Sequence, residues 1–252
     1  NVETTEDTDD NVINAAEVTQ VSISGLVNNI EDNQTVILTI ADGLTTLTFS
    51  TVINDSTWLV SDVDISSLTD GTITYSAQVN DIAGNKAEIS TDIILDTKIE
   101  ITIDVNTNAD VTDNAINAAE VSNINTSGTV THVEDGQSIT LSITDGLTSL
   151  SFTTVVNNGL WFINDSDLST LSDGTITFVA TVSDLAGNTT QVSTTTEKDT
   201  QASIIVNIES GDDDFLIADE INPVIVSGTV ENVDIGQLVT VILTSASGDT
   251  NT

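Results

Sequence analysis

The chain has no cysteine, no methionine, and a single proline among its 252 residues. Without cysteine it can form no disulfide and do no thiol chemistry, so small β domains in this chain would need another means of support. The missing methionine leads us to expect an excerpt that lacks its native start. No apolar run approaches the length of a membrane span and no signal peptide is visible, so we expect no direct membrane insertion and expect the export signals elsewhere.

Positive charge is also nearly absent. Lys and Arg together number 3 against 40 Asp and Glu, which gives a formal net charge of −37. So acidic a chain is repelled by DNA, RNA and anionic membranes, and this excludes nucleic acid as a partner. Cations are its natural small partners. Hydrophobic residues make up 38% of the chain, enough for modest cores, so the charge does not indicate disorder here.

Catalytic chemistry has few of the residues that it would need. Aromatic residues make up 3% of the chain, whereas a glycosidase places its carboxylates in a cleft lined with aromatics. With no cysteine and one histidine, His132, the chain has too few ligands for a zinc site. Asn29 stands 103 positions before His132, so no Ser–His–Asp triad can be assembled repeat by repeat. We therefore expect no enzyme activity.

What the chain does contain is a tandem repeat. Residues 175–183 alternate apolar and polar side chains, which predicts a strand with one buried face, and Asp184–Asn188 predicts a tight turn into a second strand. The same hairpin occurs 103 positions earlier, with its turn at Asp81–Asn85. Further pairs share that spacing: Trp58 with Trp161, Ser24-Gly25 with Ser127-Gly128, and residues 13–17 with 116–120 (Ile-Asn-Ala-Ala-Glu).

The spacing divides the chain into three units. We predict repeat 1 at residues 1–96 without its first strand, a complete repeat 2 at 97–199, and the N-terminal part of repeat 3 at 200–252. Seven short strands in repeat 2 predict an all-β fold of tandem immunoglobulin-like antiparallel sandwiches in an elongated array. We expect these strands at about 99–105, 123–130, 138–144, 147–156 and 160–163, followed by the two strands of the hairpin. The side chains that we expect to be buried are Ile139, Leu141, Ile143, Phe152, Trp161, Ile176, Phe178 and Val182.

Alternating strand direction places acidic loops of adjacent repeats opposite each other. Two carboxylates 4 Å apart repel by about 4 kcal/mol at an effective dielectric of about 20, so such a junction needs a cation. Oxygen-rich clusters suit Ca²⁺ better than Mg²⁺, which demands a strict octahedron. We predict Ca²⁺ as the cofactor; a solvated acidic surface that only keeps the chain soluble is the alternative. The predicted metal ligands are Asp10, Glu17, Asp64, Asp70, Asp96, Asp113, Glu120, Glu134, Asp135, Asp167, Asp173, Asp184, Asn188, Asp199 and Asp234.

Several motifs together resemble a known family. They are the Trp161 strand, Asp167–Thr175, Asp184–Asn188 and the exit at Asp199-Thr200. This combination is similar to the bacterial Ig-like extender repeats of giant Gram-negative surface adhesins of the RTX and biofilm-associated type. The resemblance implies Ca²⁺ at the junctions, type I secretion and an extracellular location on the cell surface. The chain departs from the family at one point. The Ala-Pro that usually follows Asp-Thr in the family is replaced here by Lys98-Ile99 and Gln201-Ala202.

From these observations we expect a stalk segment, stiffened by calcium between neighbouring repeats of one monomeric chain. Such a segment would project a distal binding domain for adhesion and biofilm formation. Two alternatives stay open at this point. The repeats could themselves bind a carbohydrate, ice or a host surface, or the chain could be an accessory module of a secreted hydrolase.

Overall fold

The structure, a computed structural model, describes residues 2–4, 11–106, 115–209, 224–233, 235–244 and 250–251. All regular secondary structure in these ranges is β. No helix among the described residues is long and apolar enough to cross a membrane. The all-β prediction is therefore confirmed, and its sandwich form follows from the sheets of repeats 1 and 2.

Repeat 1 contains two sheets that face each other across one core. A three-stranded sheet has the order β1-β3-β6, and a five-stranded sheet has the order β2-β8-β7-β4-β5. The strands are β1 (Val2–Thr4), β2 (Val12–Ile13), β3 (Val21–Leu26), β4 (Thr35–Ala41), β5 (Thr46–Val52), β6 (Thr57–Val63), β7 (Gly71–Asn80) and β8 (Lys86–Leu95).

Repeat 2 has the same arrangement. One sheet has the order β10-β12-β15, with β9 also paired to β12, and the other has the order β11-β17-β16-β13-β14. Its strands are β9 (Glu100–Ile101), β10 (Asp104–Asn106), β11 (Ala115–Ile116), β12 (Ile124–Thr131), β13 (Ser138–Thr144), β14 (Ser149–Val155), β15 (Leu160–Ser166), β16 (Gly174–Ser183) and β17 (Thr189–Lys198).

The pairing differs from our expectation in two places. The first strand of repeat 2 is interrupted between β9 and β10, where we predicted one strand over 99–105. The sandwiches are antiparallel as predicted except in one short segment, where β11 pairs in parallel with the end of β17, as β2 does with β8. This segment lies between the strands predicted at 99–105 and 123–130, and its two residues are too few to show the alternation that predicts a strand.

Repeats 1 and 2 each have their own hydrophobic core. Period-two alternation places Ile139, Leu141 and Ile143 of β13 against Ile176, Phe178 and Val182 of β16, all fully buried. Trp161 is buried as predicted. Phe152 is only half-buried, because β14 lies at the edge of its sheet and its inward side chains are covered from one side only. The division of the chain at residues 96 and 199 stays a prediction.

The repeated Ser-Gly pair has a packing role. The Trp161 Nε1–H donates a 3.2 Å hydrogen bond to the Thr102 carbonyl. Gly128 lies beneath this contact, and a Cβ there would meet the Thr102 carbonyl and come within 2.6 Å of the indole nitrogen. Gly25 has the same relationship to Trp58. Glycine is therefore required by the close approach of the tryptophan ring.

The described part of repeat 3 is smaller. Strand β18 (Ser203–Ile208) pairs antiparallel with β19 (Val226–Glu231), and β20 (Leu243–Thr244) pairs with β21 (Thr250–Asn251). The apolar side chains of β18 are largely exposed. A Cβ at Gly228 would meet the Ile205 carbonyl, just as one at Gly128 would meet the Thr102 carbonyl.

Candidate functional site at the junction of repeats 1 and 2

The Ile-Asn-Ala-Ala-Glu motif forms a closed turn. In repeat 1 the Asn14 backbone N–H donates to Glu17 Oε2 at 2.9 Å, and Asn14 Oδ1 accepts a bond from the Ala16 N–H at 2.8 Å. The equivalent bonds at Asn117 and Glu120 have the same lengths. In repeat 1 the Glu17 N–H also donates to Asn14 Oδ1 at 3.3 Å, so Asn14 and Glu17 bond each other as the residues of a helix capping box do. Glu17 and Glu120, both predicted as metal ligands, are buried in these turns.

The Asp184–Asn188 turn is held by two hydrogen bonds from Asn188 to the Asp184 carboxylate. The Asn188 backbone N–H donates to Asp184 Oδ1, and its side-chain Nδ2 donates to Asp184 Oδ2, both at 2.8 Å. Asn85 binds Asp81 in the same way in repeat 1. The environments differ, however: Asp184 and Asn188 are buried, whereas Asn85 is exposed. The turn of repeat 2 is buried because it contacts repeat 1.

Three hydrogen bonds join the turn of repeat 2 to repeat 1. Asn188 Oδ1 accepts from the Ala15 N–H at 2.8 Å, and Asn188 Nδ2 donates to the Asp96 carbonyl at 2.9 Å. Asn14 Nδ2 donates to the Ala186 carbonyl at 3.0 Å. We call this contact between residues 14–17 with Asp96 and residues 184–188 the junction. Both ends of the Asn188 amide are used here, so the junction fixes its orientation.

Acidic side chains gather around the Asp96 carboxyl. Partial burial raises the pKa of Asp96 above its ordinary value, and the neighbouring charges of Asp184, Asp70 and Glu134 raise it further. The ion pairs among the described residues are Lys86–Glu88 and Lys198–Asp173, so none neutralises these four carboxylates. The junction therefore carries excess negative charge that is drawn from both repeats.

Asp70 holds the feature that points most directly to a bound cation. Its Oδ1 accepts a 2.8 Å hydrogen bond from the Thr97 hydroxyl. Its Oδ2 is buried and has no hydrogen-bond partner among the described residues. A buried carboxylate oxygen without a partner is costly unless a positive charge or a donor satisfies it. The side chains at and beside the junction offer carboxylate, amide and hydroxyl oxygens, which are the ligand atoms that a hard cation prefers.

Several other predicted ligands accept hydrogen bonds away from the junction. Asp135 Oδ1 accepts from Asn158, Asp64 from Ser66, Asp167 from Ser169 and Asp199 from Gln201, at 2.7 to 3.2 Å. Asp173 pairs with Lys198 at 2.7 Å. Glu134 Oε2 accepts from the Leu185 N–H at 3.1 Å and so stays beside the turn. Asp10, Asp113 and Asp234 lie outside the described residues.

Of the predicted ligands, Glu17, Asp96, Asp184 and Asn188 lie in the junction, and Asp70 and Glu134 lie near enough for their charges to raise the pKa of Asp96. No three or more His, Cys, Asp or Glu side chains in the described ranges are arranged as a metal cage. The donor set fits Ca²⁺ by its chemistry. The assignment of individual ligands stays a prediction.

The sequence reasoning missed two structural roles. Asn14 bridges to repeat 2, and its recurrence in the Ile-Asn-Ala-Ala-Glu motif was the available signal. Asp145, which follows β13, accepts bonds from the backbone N–H groups of Leu147, Thr148 and Ser172. These bonds hold the pKa of Asp145 well below its ordinary value. Asp42, the equivalent residue of repeat 1, accepts the same kind of bonds and also has a lowered pKa. In each sandwich this aspartate therefore links two loops.

Solved structures of large bacterial adhesins are similar to this chain. A tetra-tandem repeat from the extending region of a large adhesion protein is 26% identical over 99% of this chain and 60% of its own, with a TM-score of 0.38. A Ca²⁺-stabilized adhesin with which an Antarctic bacterium binds ice is 30% identical over 83% of this chain and 52% of its own (TM-score 0.43). A third, from work on host cell surface retention of a 1.5-MDa bacterial ice-binding adhesin, is 32% identical over 83% and 69% (TM-score 0.43).

No protein-family model matches the chain, and no curated protein matches it. The chain spans 60% and 52% of the first two of these structures. All three TM-scores lie below 0.5, so the relationship rests on sequence identity and coverage and not on superposition. The third relative is 32% identical and is covered over 69% of its length. The chain belongs to the family of immunoglobulin-like repeats that form the extender regions of large bacterial adhesins.

Proposed function

We propose that this chain is a non-catalytic stalk segment of a bacterial surface adhesin, and that Ca²⁺ bound at the junction holds neighbouring repeats in a fixed orientation. The segment acts as part of one monomeric chain outside the cell. It projects a distal ligand-binding domain away from the surface for adhesion and biofilm formation. The observation that carries the proposal is that Asp70 Oδ2 is buried and has no hydrogen-bond partner among the described residues. It lies near the carboxyl of Asp96, whose pKa is raised.

The proposed mechanism is electrostatic. Hydrogen bonds at Asn188 bring the two repeats together, but the same contact places Asp184 and Glu134 of repeat 2 near Asp70 and Asp96 of repeat 1. A divalent cation bound by oxygens of both repeats would convert this repulsion into attraction. Because its ligands belong to two domains, the ion would also restrict the angle between them. That one relative is a Ca²⁺-stabilized adhesin supports this choice of ion.

Calorimetric titration tests the proposal. Wild-type chain should bind Ca²⁺ in the presence of a several-fold excess of Mg²⁺, because a flexible oxygen cage tolerates the larger ion. D70N and D96N should each weaken the binding at one site. D55N is the matched control, since Asp55 is an exposed carboxylate in a turn of the same repeat. Equal competition by Mg²⁺, or equal effects of D55N and D70N, would indicate diffuse counter-ion attraction and contradict the proposal.

A further inference from the structure

Lys198 is a buried basic residue at the end of β17. Its side chain is 4% exposed. The Nζ donates hydrogen bonds to the Leu171 carbonyl at 2.9 Å and to Asp173 Oδ1 at 2.7 Å. The hydroxyl of Thr200 donates to the same carboxylate at 2.9 Å. Repeat 2 therefore balances the charge of Asp173 with a lysine of its own.

Repeat 1 has the same construction without the positive charge. The residues 103 positions earlier are Leu68, Asp70, Leu95 and Thr97. The bond from threonine to aspartate is kept, at 2.8 Å between Thr97 Oγ1 and Asp70 Oδ1. Leu95 stands where repeat 2 has Lys198, and it is buried as well. Asp70 Oδ2 is left buried without a hydrogen-bond partner among the described residues. One buried ammonium thus distinguishes two otherwise matched sites.

We propose that the Lys198 ammonium supplies to repeat 2 the positive charge that a bound cation supplies to Asp70 in repeat 1. The inference rests on the proposed function, because it takes Asp70 to be a cation ligand. Its independent support is the position of Nζ, which contacts one backbone carbonyl and one carboxylate. Those are the oxygen types with which proteins hold Ca²⁺. Lys198 acts as a permanent counter-ion, and Leu95 leaves its repeat dependent on an exchangeable one.

The two repeats therefore differ in their response to calcium. Removing Ca²⁺ leaves the carboxylate of Asp173 neutralised, since its counter-ion is covalently attached. The same treatment leaves Asp70 uncompensated. Repeats of this chain are thus not interchangeable segments, and the identity of the residue at the position of Leu95 and Lys198 sets how strongly each one depends on the ion.

Reciprocal exchange of the two residues tests the inference in the full 252-residue chain. Calorimetry with Ca²⁺ should show that K198L gains one site relative to wild type and that L95K loses one. In chelator the unfolding temperature of K198L should fall, and added Ca²⁺ should restore part of the loss. K86L is the matched control: it removes the same charge from an exposed pair, Lys86–Glu88, whose side chains are each 52% exposed. K86L should leave the number of sites unchanged.

An unchanged number of sites in K198L, with a calcium response equal to that of K86L, would overturn the inference. Circular dichroism shows whether each variant folds. Should K198L be unfolded, K198M keeps the unbranched stem, and L95K decides the question on its own through the loss or retention of one site. The proposed function is judged separately, on whether the wild-type chain binds Ca²⁺ at all. The inference is judged on the differences between variants and wild type.

Discussion

The side-chain amide of Asn188 donates a 2.9 Å hydrogen bond to the backbone carbonyl of Asp96, 92 residues earlier in the chain. Asn188 also closes its own turn by binding Asp184. Asn85, its counterpart in repeat 1, makes the turn-closing bonds to Asp81 but lies exposed. One residue type thus serves a turn in both repeats, and in repeat 2 it serves the junction as well.

This difference makes Asn85 a matched control for Asn188. N188A should lose the side-chain bond to Asp184 and two junction bonds, whereas N85A should lose only the corresponding side-chain bond to Asp81. Each hydrogen bond contributes about 0.5–1.5 kcal/mol, so the two variants should differ in free energy of unfolding by about 1–3 kcal/mol. The amide of Ala15, whose acceptor is Asn188 Oδ1, should exchange with solvent faster in N188A and at its original rate in N85A. Unchanged exchange of Ala15 in N188A would show that the repeats do not meet at this residue.

The raised pKa of Asp96 predicts an unusual pH dependence. A carboxyl whose pKa is higher in the folded chain than its ordinary value of 3.8 binds protons more readily when folded. Its charged form therefore opposes folding at neutral pH, and this penalty disappears as the pH falls through the folded pKa towards 3.8. In chelator, D96N should be more stable than wild type at pH 7, and the difference should shrink on acidification.

Thermal unfolding of both proteins between about pH 3 and 7 measures this effect. D199N is the matched control, because Asp199 holds the same position in repeat 2 and is exposed. Its difference from wild type should vary less with pH. A wild-type chain that is more stable than D96N at neutral pH in chelator would contradict the electrostatic description of the junction.

Tyr75 offers a test within one core. Its side chain is buried, and its hydroxyl has no hydrogen-bond partner among the described residues. Burial raises the pKa of this phenol well above its ordinary value. Phe178 occupies the equivalent position in repeat 2. Because an unsatisfied buried hydroxyl costs about 1–3 kcal/mol, Y75F should raise the free energy of unfolding by about 1 kcal/mol in a denaturant titration. A clear loss of stability in Y75F would show that the hydroxyl has a partner.

The repeat made much of the fold predictable. A spacing of 103 residues, alternation in β13 and β16, and turn residues at Asp184–Asn188 suffice to place the strands and the buried face of repeat 2. The parallel segment β11 was not predictable, because two residues carry no periodicity. Phe152 is less buried than predicted. Alternation in a sequence shows which face of a strand a side chain lies on, but it does not show how completely the facing sheet covers that face.

The candidate site was predictable in its location and less so in its contacts. Antiparallel alternation of strands correctly places the turn at Asp184–Asn188 beside repeat 1. It does not say which carboxylates turn inward: Asp64, Asp135 and Asp167 bind backbone N–H groups of nearby turns instead. The contrast between Leu95 and Lys198 is visible in the aligned repeats. That Lys198 pairs with Asp173 depends on the position of Asp173 in three dimensions, which the alignment does not provide.

Small-angle X-ray scattering of the chain with Ca²⁺ and with chelator tests the central claim most directly. With Ca²⁺ bound, we expect the profile of a rigid particle whose maximum dimension is well defined. In chelator, repulsion among Asp70, Asp96, Glu134 and Asp184 should broaden the distribution of interatomic distances, while circular dichroism keeps its β signature. Scattering profiles that are the same in Ca²⁺ and in chelator would contradict the proposal that Ca²⁺ holds the repeats in a fixed orientation. The acidic residues would then be only a solvated surface.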